Sequence, residues 1–366
     1  MPIYMDIHNV PGIEAIDVAE AHQKDMAIQE KYQCKAMTYW VDESKDSAFC
    51  LIEAPNPEAV IELHNKAHGL MTHQIIELNS TVVESFLGRI YDPETSEILE
   101  GQLKVFNDPA FRVLMIIQSA DPIFLIHRFG KQKTHKLLLT FKGRIKDSIE
   151  KCEGKEVECL DAVTIVSFTS SIKAVECALS IQDKLSVQEK KLLECKISIN
   201  AGMPVSKSKA LFGDTIQFAK RLFYTTTKAN QIVAAFIIKE IIHKNYPELK
   251  NKKVITLSSN DEKILDQFMN ILEQKSNDPN VSVSDFCKYM ALSKSGLYRK
   301  IQNLANRSPN SLIKEFRLQK AMEFMKMQGC NISEAAFKAG FSSADYFSKC
   351  FLKTYGMLPS NYKDKL

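Results

Sequence analysis

The chain has 366 residues, 25% of them charged and 45% hydrophobic, with a formal net charge of +4. At about 100–200 residues per domain this length predicts two or three compact domains, and 13 Gly and 12 Pro exclude a collagen-like or low-complexity chain. No apolar run reaches the ~18 residues of a membrane helix, and the start MPIYMDIHNV lacks a basic, then apolar, secretory leader. Nine scattered Cys without a CxxC pair suit reduced thiols, so a cytoplasmic protein with no membrane partner is expected. Charge is unevenly spread: residues 1–80 hold 5 Lys and Arg against 13 Asp and Glu, and residues 258–366 hold 16 against 11. An acidic head and a basic tail predict separate tasks, with the tail suited to a polyanion.

In residues 1–80, apolar runs at 1–7, 36–40, 47–52 and 75–78 predict strands, and helices fall near 13–32 and 57–71. Asn56-Pro57 opens the second helix, since Asn caps well and Pro fits a first turn. The order strand–helix–strand–strand–helix–strand describes a ferredoxin-like α+β layer. Five of the eight His lie here: His8, His22, His64, His68 and His73. His64 and His68 are spaced i, i+4 and can offer two imidazoles to one metal. His8 should end the first strand, and His22 should sit on the first helix. Asp6-x-His8, His22-x-x-Asp25, Trp40, the run Phe49-Cys50-Leu51-Ile52-Glu53-Ala54-Pro55 and His64-x-x-x-His68-Gly69 resemble a family of small ferredoxin-like domains with a nickel-binding member. The expected metal ligands are His8, His22, His64 and His68. The expected ion is a divalent transition metal, Ni, Zn or Cu, with no organic cofactor. The alternative is that these imidazoles hydrogen-bond within the fold or line a dimer seam.

Residues 81–135, with Pro and charged breaks, are expected to form a linker with some helix. In residues 136–257 strands are predicted at 136–141, 157–161, 164–167, 195–201 and 231–234, and helices at 172–190 and 216–226. The segments Leu160-Asp161-Ala162-Val163, Ile197-Ser198-Ile199-Asn200-Ala201-Gly202 and Gly213-Asp214-Thr215-Ile216-Gln217-Phe218-Ala219-Lys220-Arg221-Leu222 resemble the class III nucleotide cyclase fold. That resemblance implies two carboxylates holding two metal ions. Asp161 matches one; the other falls at Thr140, which supplies no anionic ligand, and Gln217 and Arg221 match the polar pair. A degenerate domain without catalytic residues is expected, with Asp161 and Arg221 as effector-binding candidates for a nucleotide or other small molecule.

From residue 258 onward only helical periodicity appears. Ser259 to Glu262 and Ser282 to Asp285 have capping-box spacing, and Ser308-Pro309 places a cap before a first-turn Pro. Leu292-Ser293-Lys294-Ser295-Gly296-Leu297-Tyr298-Arg299-Lys300 aligns with Phe341-Ser342-Ser343-Ala344-Asp345-Tyr346-Phe347-Ser348-Lys349. Each copy follows a short helix and a tight turn, the helix-turn-helix layout, so two such units joined by one long helix could enter successive major grooves. Leu297, Ile301, Phe316, Phe337, Phe341, Tyr346, Phe347 and Phe351 are assigned to the core. Lys294, Ser295, Arg299, Lys300, Ser343, Ala344, Lys349 and Lys353 are the DNA-contact candidates.

Residues 259–362 resemble the AraC/XylS family, through Arg317-Leu318-Gln319-Lys320-Ala321, the run from Ile332 to Lys353 and Gly356-Met357-Leu358-Pro359. That resemblance implies an all-α double helix-turn-helix domain that binds double-stranded DNA and acts on RNA polymerase. The whole reads as a multidomain, homodimeric DNA-binding transcription regulator whose N-terminal domains sense an effector or metal. The alternatives are a nucleotide cyclase fused to a DNA-binding domain and a metal-responsive regulator. Boundaries are expected at 1–80, 81–135, 136–257 and 258–366.

Overall fold

A computed structural model of the chain describes residues 1–99, 103–160, 162–226, 228–245 and 254–366. The N-terminal layer contains β1 (Ile3–Asn9), α1 (Ala15–Ile28), β2 (Lys35–Asp42), β3 (Ser47–Glu53), α2 (Pro57–Ala67) and β4 (Gln74–Leu78). Its sheet order is β2-β3-β1-β4, with β1 antiparallel to both neighbours, as a ferredoxin-like layer requires. The Asn56 side chain caps α2 by accepting from Ala59 N, with Pro57 in the first turn. Side chains of β1 alternate between two faces. Tyr4 packs with Val60 and Leu63 of α2, while Met5 points the other way, into a cluster with Trp40, Phe49 and Leu51.

Next come α3 (Ser80–Leu87), the hairpin β5 (Glu97–Leu99) and β6 (Leu103–Val105), β7 (Arg112–Gln118), α4 (Pro122–Phe129), α5 (Lys131–Lys151), β8 (Lys155–Leu160) and β9 (Val163–Phe168). They are followed by α6 (Ser171–Lys184), α7 (Val187–Leu193), β10 (Lys196–Gly202), α8 (Gly213–Leu222), β11 (Ile232–Ala234), α9 (Phe236–Asn245) and β12 (Val254–Thr256). The six-stranded sheet has the order β12-β11-β10-β7-β9-β8.

Three expectations are corrected here. Residues 81–135 are not a linker: they contain β7, an interior strand hydrogen-bonded to β9 and β10. Its run Arg112–Gln118 is buried on both faces, so it shows no alternation, and its continuous apolarity is the mark of an interior strand. Residues 136–141 are not a strand but part of α5, where Phe141, Ile145, Ser148 and Ile149 recur at helical spacing and are buried. The helix expected over 172–190 is two helices, because Ser186 and Glu189 form a capping box that starts α7.

The C-terminal domain is all helical: α10 (Ser259–Lys275), α11 (Val283–Tyr289), α12 (Lys294–Ala305), α13 (Pro309–Lys326), α14 (Ile332–Lys338), α15 (Ala344–Tyr355) and α16 (Pro359–Lys363). Ser258, one residue before the expected cap, accepts from Asp261 N and starts α10. Ser282 and Asp285 form the predicted box before α11, and Ser308 caps α13 with Pro309 in its first turn. The first half of α13 buries Leu312, Ile313 and Phe316 against α10–α12, and its second half buries Leu318, Ala321 and Met325 against α14–α16.

The domains share cores. Met5, Trp40 and Phe49 cluster with Phe86 of α3, Leu114 of β7 and Phe212, the residue before α8. Leu222, Tyr224, Val233 and Ala235 of the middle domain cluster with Phe268, Phe286 and Leu297. Ile123 and Phe124 of α4 cluster with Phe347, Phe351 and Tyr362. No helix among the described residues is long and apolar enough to cross a membrane.

Candidate functional site

The face of β1 opposite Met5 carries Asp6 and His8 towards α1 and α2, and cross-strand pairing sets Cys50 of β3 opposite Asp6. His64 arrives from α2. Asp6, His8, Cys50 and His64 are all buried, and one ligand atom from each lies within 4.8 Å of the others. A second group, Asp25, His64 and His68, shares His64 with the first.

Hydrogen bonding orients the two imidazoles of the first group. The Met71 carbonyl only accepts, so His8 Nδ1, 3.0 Å away, carries the proton and leaves Nε2 facing Asp6 Oδ2 at 3.0 Å. His64 Nδ1 lies 3.2 Å from Asp25 Oδ1, and its Nε2 lies 3.1 Å from the same Asp6 Oδ2. Two Nε2 atoms therefore converge on one carboxylate, each ring fixed through Nδ1 by a partner behind it, the usual orientation of ligating imidazoles. Asp6 Oδ1, His8 Nε2 and His64 Nε2 are buried without satisfied hydrogen-bond geometry. Buried polar atoms are ordinarily paired, so these three atoms fit a cation.

The electrostatics agree. Burial alone would push His64 down, but Asp6 and then Asp25 outweigh it and raise the imidazole to about 10. Burial would raise Asp6, yet His64 and His8 hold its carboxyl well below the usual range. Burial pushes the Cys50 thiol well up. A positive charge is thus already required between the carboxylates, whether proton or metal.

The structure redistributes the four expected histidines. His8 and His64 come together with Asp6 and Cys50, two donors the spacing of histidines did not single out. His68 Nδ1 accepts from Leu70 N at 3.1 Å, so its Nε2 is the protonated nitrogen, facing Asp25 Oδ1 at 3.4 Å; it supports the site from behind. His22 belongs to neither group: its Nε2 faces Asp92 Oδ1 at 3.8 Å and its ring lies against Tyr39.

In the C-terminal domain, α12 and α15 are the second helices of the two units. Lys294, Ser295, Arg299, Ser343, Lys349 and Lys353 are exposed, and Lys300 and Ala344 are half-buried. The Ser343 side chain accepts from Tyr346 N as the cap of α15, so its oxygen serves the helix. Two residues assigned to the core are not there: Phe337 is 53% and Tyr346 52% exposed.

In the middle domain, Asp161 lies outside the described residues. Thr140 is on helix α5 and not on a strand, with its hydroxyl donating to Lys136 O. β9 lies between β8 and β7, and β7 ends at Gln118 opposite Val163, so a non-acidic residue stands at that strand end too. Gln118, Gln217 and Arg221 line a cavity of about 530 Å³ between the sheet, α8 and α13. Arg221 is 5% exposed, and all three guanidinium nitrogens are taken by α10, as described below.

Comparison with known proteins matches a segment near each end of the chain. Residues 4–78 match the family described as nickel responsive protein SCO4226-like, and residues 286–365 match a helix-turn-helix domain family. The N-terminal domain is SCO4226-like, and the C-terminal domain is an AraC-type helix-turn-helix domain. SCO4226 of Streptomyces coelicolor A3(2) is 31% identical over 21% of this chain and 94% of its own, with a TM-score of 0.20. A protein named histidine kinase P4 from Formosa agariphila is 35% identical over 111 residues, 30% of this chain. An adenylate/guanylate cyclase/hydrolase from Silicibacter pomeroyi is 22% identical, covering 38% of this chain and 83% of its own, with a TM-score of 0.32. The chain spans 8% of the length of histidine kinase P4 and 26% to 34% of the curated regulators it matches.

Proposed function

We propose that this chain is a transcription regulator that binds double-stranded DNA through α12 and α15 and holds a divalent transition metal in its N-terminal domain. The observation that carries the reading is the pair of open, basic second helices on one AraC-type domain. Lys294, Arg299 and Lys349 stand exposed on the faces opposite the buried Leu297, Ile301, Phe347 and Phe351. Arg and Lys in such positions pair with phosphates or guanine edges. Cytoplasmic residence, pairing of two copies and action on RNA polymerase belong to the same proposal.

The metal half rests on the buried donors Asp6, His8, Cys50 and His64 and on the nickel responsiveness of the matched family. Two imidazoles, a carboxylate and a thiol suit Ni, Zn or Cu. When bound, the ion would supply the positive charge that His64 otherwise supplies as imidazolium. A small-molecule effector has the cavity beside Gln118 and Gln217 as its place. The middle domain is proposed to act without turnover, because β7 ends in Gln118 and Arg221 is engaged by α10.

The test is selection of duplexes from a random pool by the full chain, followed by titration at several salt concentrations. A selected sequence bound at least about 10³-fold more tightly than random DNA, with affinity falling as salt rises, is the expected result. A folded protein that enriches no sequence would overturn it.

A further inference from the structure

The middle domain touches both helix-turn-helix units, each through a different element, and both elements hang from the same six-stranded sheet. On the first unit, Arg221 of α8 reaches into α10. Its Nε donates to Glu273 Oε1 at 3.0 Å, its Nη2 to Glu273 Oε2 and Asn270 Oδ1 at 2.7 Å each, and its Nη1 to Asp266. Gln217, one helical turn earlier, donates to Glu273 at 2.6 Å. From the other side, Arg307 in the turn between α12 and α13 donates to the carbonyl of Tyr224 at 2.6 Å. The Tyr224 hydroxyl in turn donates to Gln319 of α13 at 2.5 Å.

On the second unit the contact is aromatic. Phe124 of α4 stacks on Tyr355 of α15, with ring centroids 4.7 Å apart and planes 10° apart, and also meets Phe351 and Tyr362. The Tyr362 hydroxyl donates to Asp121, the cap of α4, at 2.9 Å. The two units also meet each other: Arg317 of α13 donates to Ser276 O at the end of α10, and a Cβ on Gly340 would fall 1.8 Å from that same oxygen.

A single helix between two DNA-reading units can bend and twist. Here α13 is instead one side of a closed frame whose other sides are α8, β7 and α4. All these contacts lie behind the units, while Lys294, Arg299, Lys349 and Lys353 remain exposed. From this frame we infer that the middle domain works as a ruler for DNA recognition, fixing the separation and relative turn of α12 and α15, with Arg221 and Phe124 as the positioning residues. The polar groups of α8 that line the cavity are thereby used as a brace for the neighbouring domain. This inference rests on the proposed DNA binding for its functional consequence, though the frame itself can be tested without DNA.

The test uses the full chain, wild type and the variants Arg221→Ala, Phe124→Ala and the milder Tyr362→Phe. On duplexes carrying the two selected half-sites, the spacing is changed by two base pairs. The avidity of linked modules is lost when geometry forbids joint engagement, so the wild type should lose about 10²-fold and the variants about 10-fold or less. Affinity for a single half-site should be the same in all four proteins. An undiminished spacing penalty in every variant would overturn the inference, because α13 alone would then set the distance. Hydrogen exchange without DNA supplies the independent readout. Faster exchange of α10 in Arg221→Ala and of α15 in Phe124→Ala and Tyr362→Phe is expected, and unchanged exchange in all three would also overturn the inference. If the wild type binds no DNA while the exchange results hold, the DNA-binding proposal fails and the frame stands.

Discussion

Arg221 and Glu273 form a two-pronged pair, Nε to Oε1 at 3.0 Å and Nη2 to Oε2 at 2.7 Å, that joins the middle domain to the DNA-binding domain. Burial alone would lower the guanidinium, yet Glu273 and Asp266 outweigh it and raise it further. The side chain of Arg221 is 6% exposed and that of Glu273 28%, so solvent screens the pair only in part. Removing the arginine should cost about 2–3 kcal/mol, below the full figure for a buried pair. Chemical denaturation of Arg221→Ala should show an earlier transition for the C-terminal helices, followed by far-ultraviolet circular dichroism. A transition superimposable on wild type would show the pair to be idle.

Gly340 closes the turn between α14 and α15 at a φ of +84°, hard against Ser276 O. Any Cβ there meets both left-handed strain and a backbone clash. Gly340→Ala should therefore lose about 3 kcal/mol or more of stability. The exposed Gly329, with a φ of +76° and open space around it, should tolerate alanine better. Equal losses at the two glycines would contradict this account of the turn.

On DNA, Arg299→Ala and Lys349→Ala should each weaken binding to the selected site by about 1–3 kcal/mol if they touch bases. A residue that touches only phosphate should instead lower the salt slope by about one and weaken all sequences alike. Fluorescence anisotropy at a series of salt concentrations separates these outcomes. Wild-type affinity in both variants would remove these residues from the interface.

How much of this could be read from the sequence differs by element. The caps Ser282, Ser308 and Asn56 act over three residues, so they are visible in a short window, and each starts the predicted helix. β7 was hidden because a strand buried on both faces carries no alternation, and the Leu137–Phe141 stretch of α5 imitates one. At the candidate metal site, His8 and His64 are named by residue type and spacing. Asp6 and Cys50 become neighbours only through the register of β1 on β3, which no local pattern displays. His22 was drawn in by its type, but the ring faces Asp92, which follows α3. The role of Arg221 depended on partners on α10, 45 to 52 residues further along the chain.

In the N-terminal domain, His8→Ala and Cys50→Ser should each weaken Ni²⁺ or Zn²⁺ binding at least about tenfold, whereas His22→Ala should leave it unchanged. His64 is raised from 6.5 to about 10 in the metal-free chain. The stability it contributes is therefore full below pH 6.5 and lost as pH rises through 10. Asp6 and Asp25 are lowered from 3.8, so their contribution is full above that value and lost in stronger acid. Metal displaces the His64 proton and the Cys50 thiol proton, so binding should release protons and weaken as pH falls. Calorimetry at pH 7 in two buffers of different ionisation enthalpy reads that release. Identical heats in both buffers would mean that neither His64 nor Cys50 gives up a proton to a bound ion.

The candidate metal site and the proposed DNA-reading helices are linked through α8. β1 turns Asp6 to the metal side and Met5 to the cluster containing Phe212, which immediately precedes the helix that carries Arg221. Coupling between two sites of one protein typically amounts to about 5- to 150-fold in affinity. The most direct measurement is the Kd of the full chain for its selected operator with and without saturating Ni²⁺, in wild type and in His8→Ala/Cys50→Ser. A shift of at least about fivefold in the wild type, absent in the double variant, is the predicted result. The same Kd with and without metal, in a wild-type protein shown by calorimetry to be loaded, would contradict it.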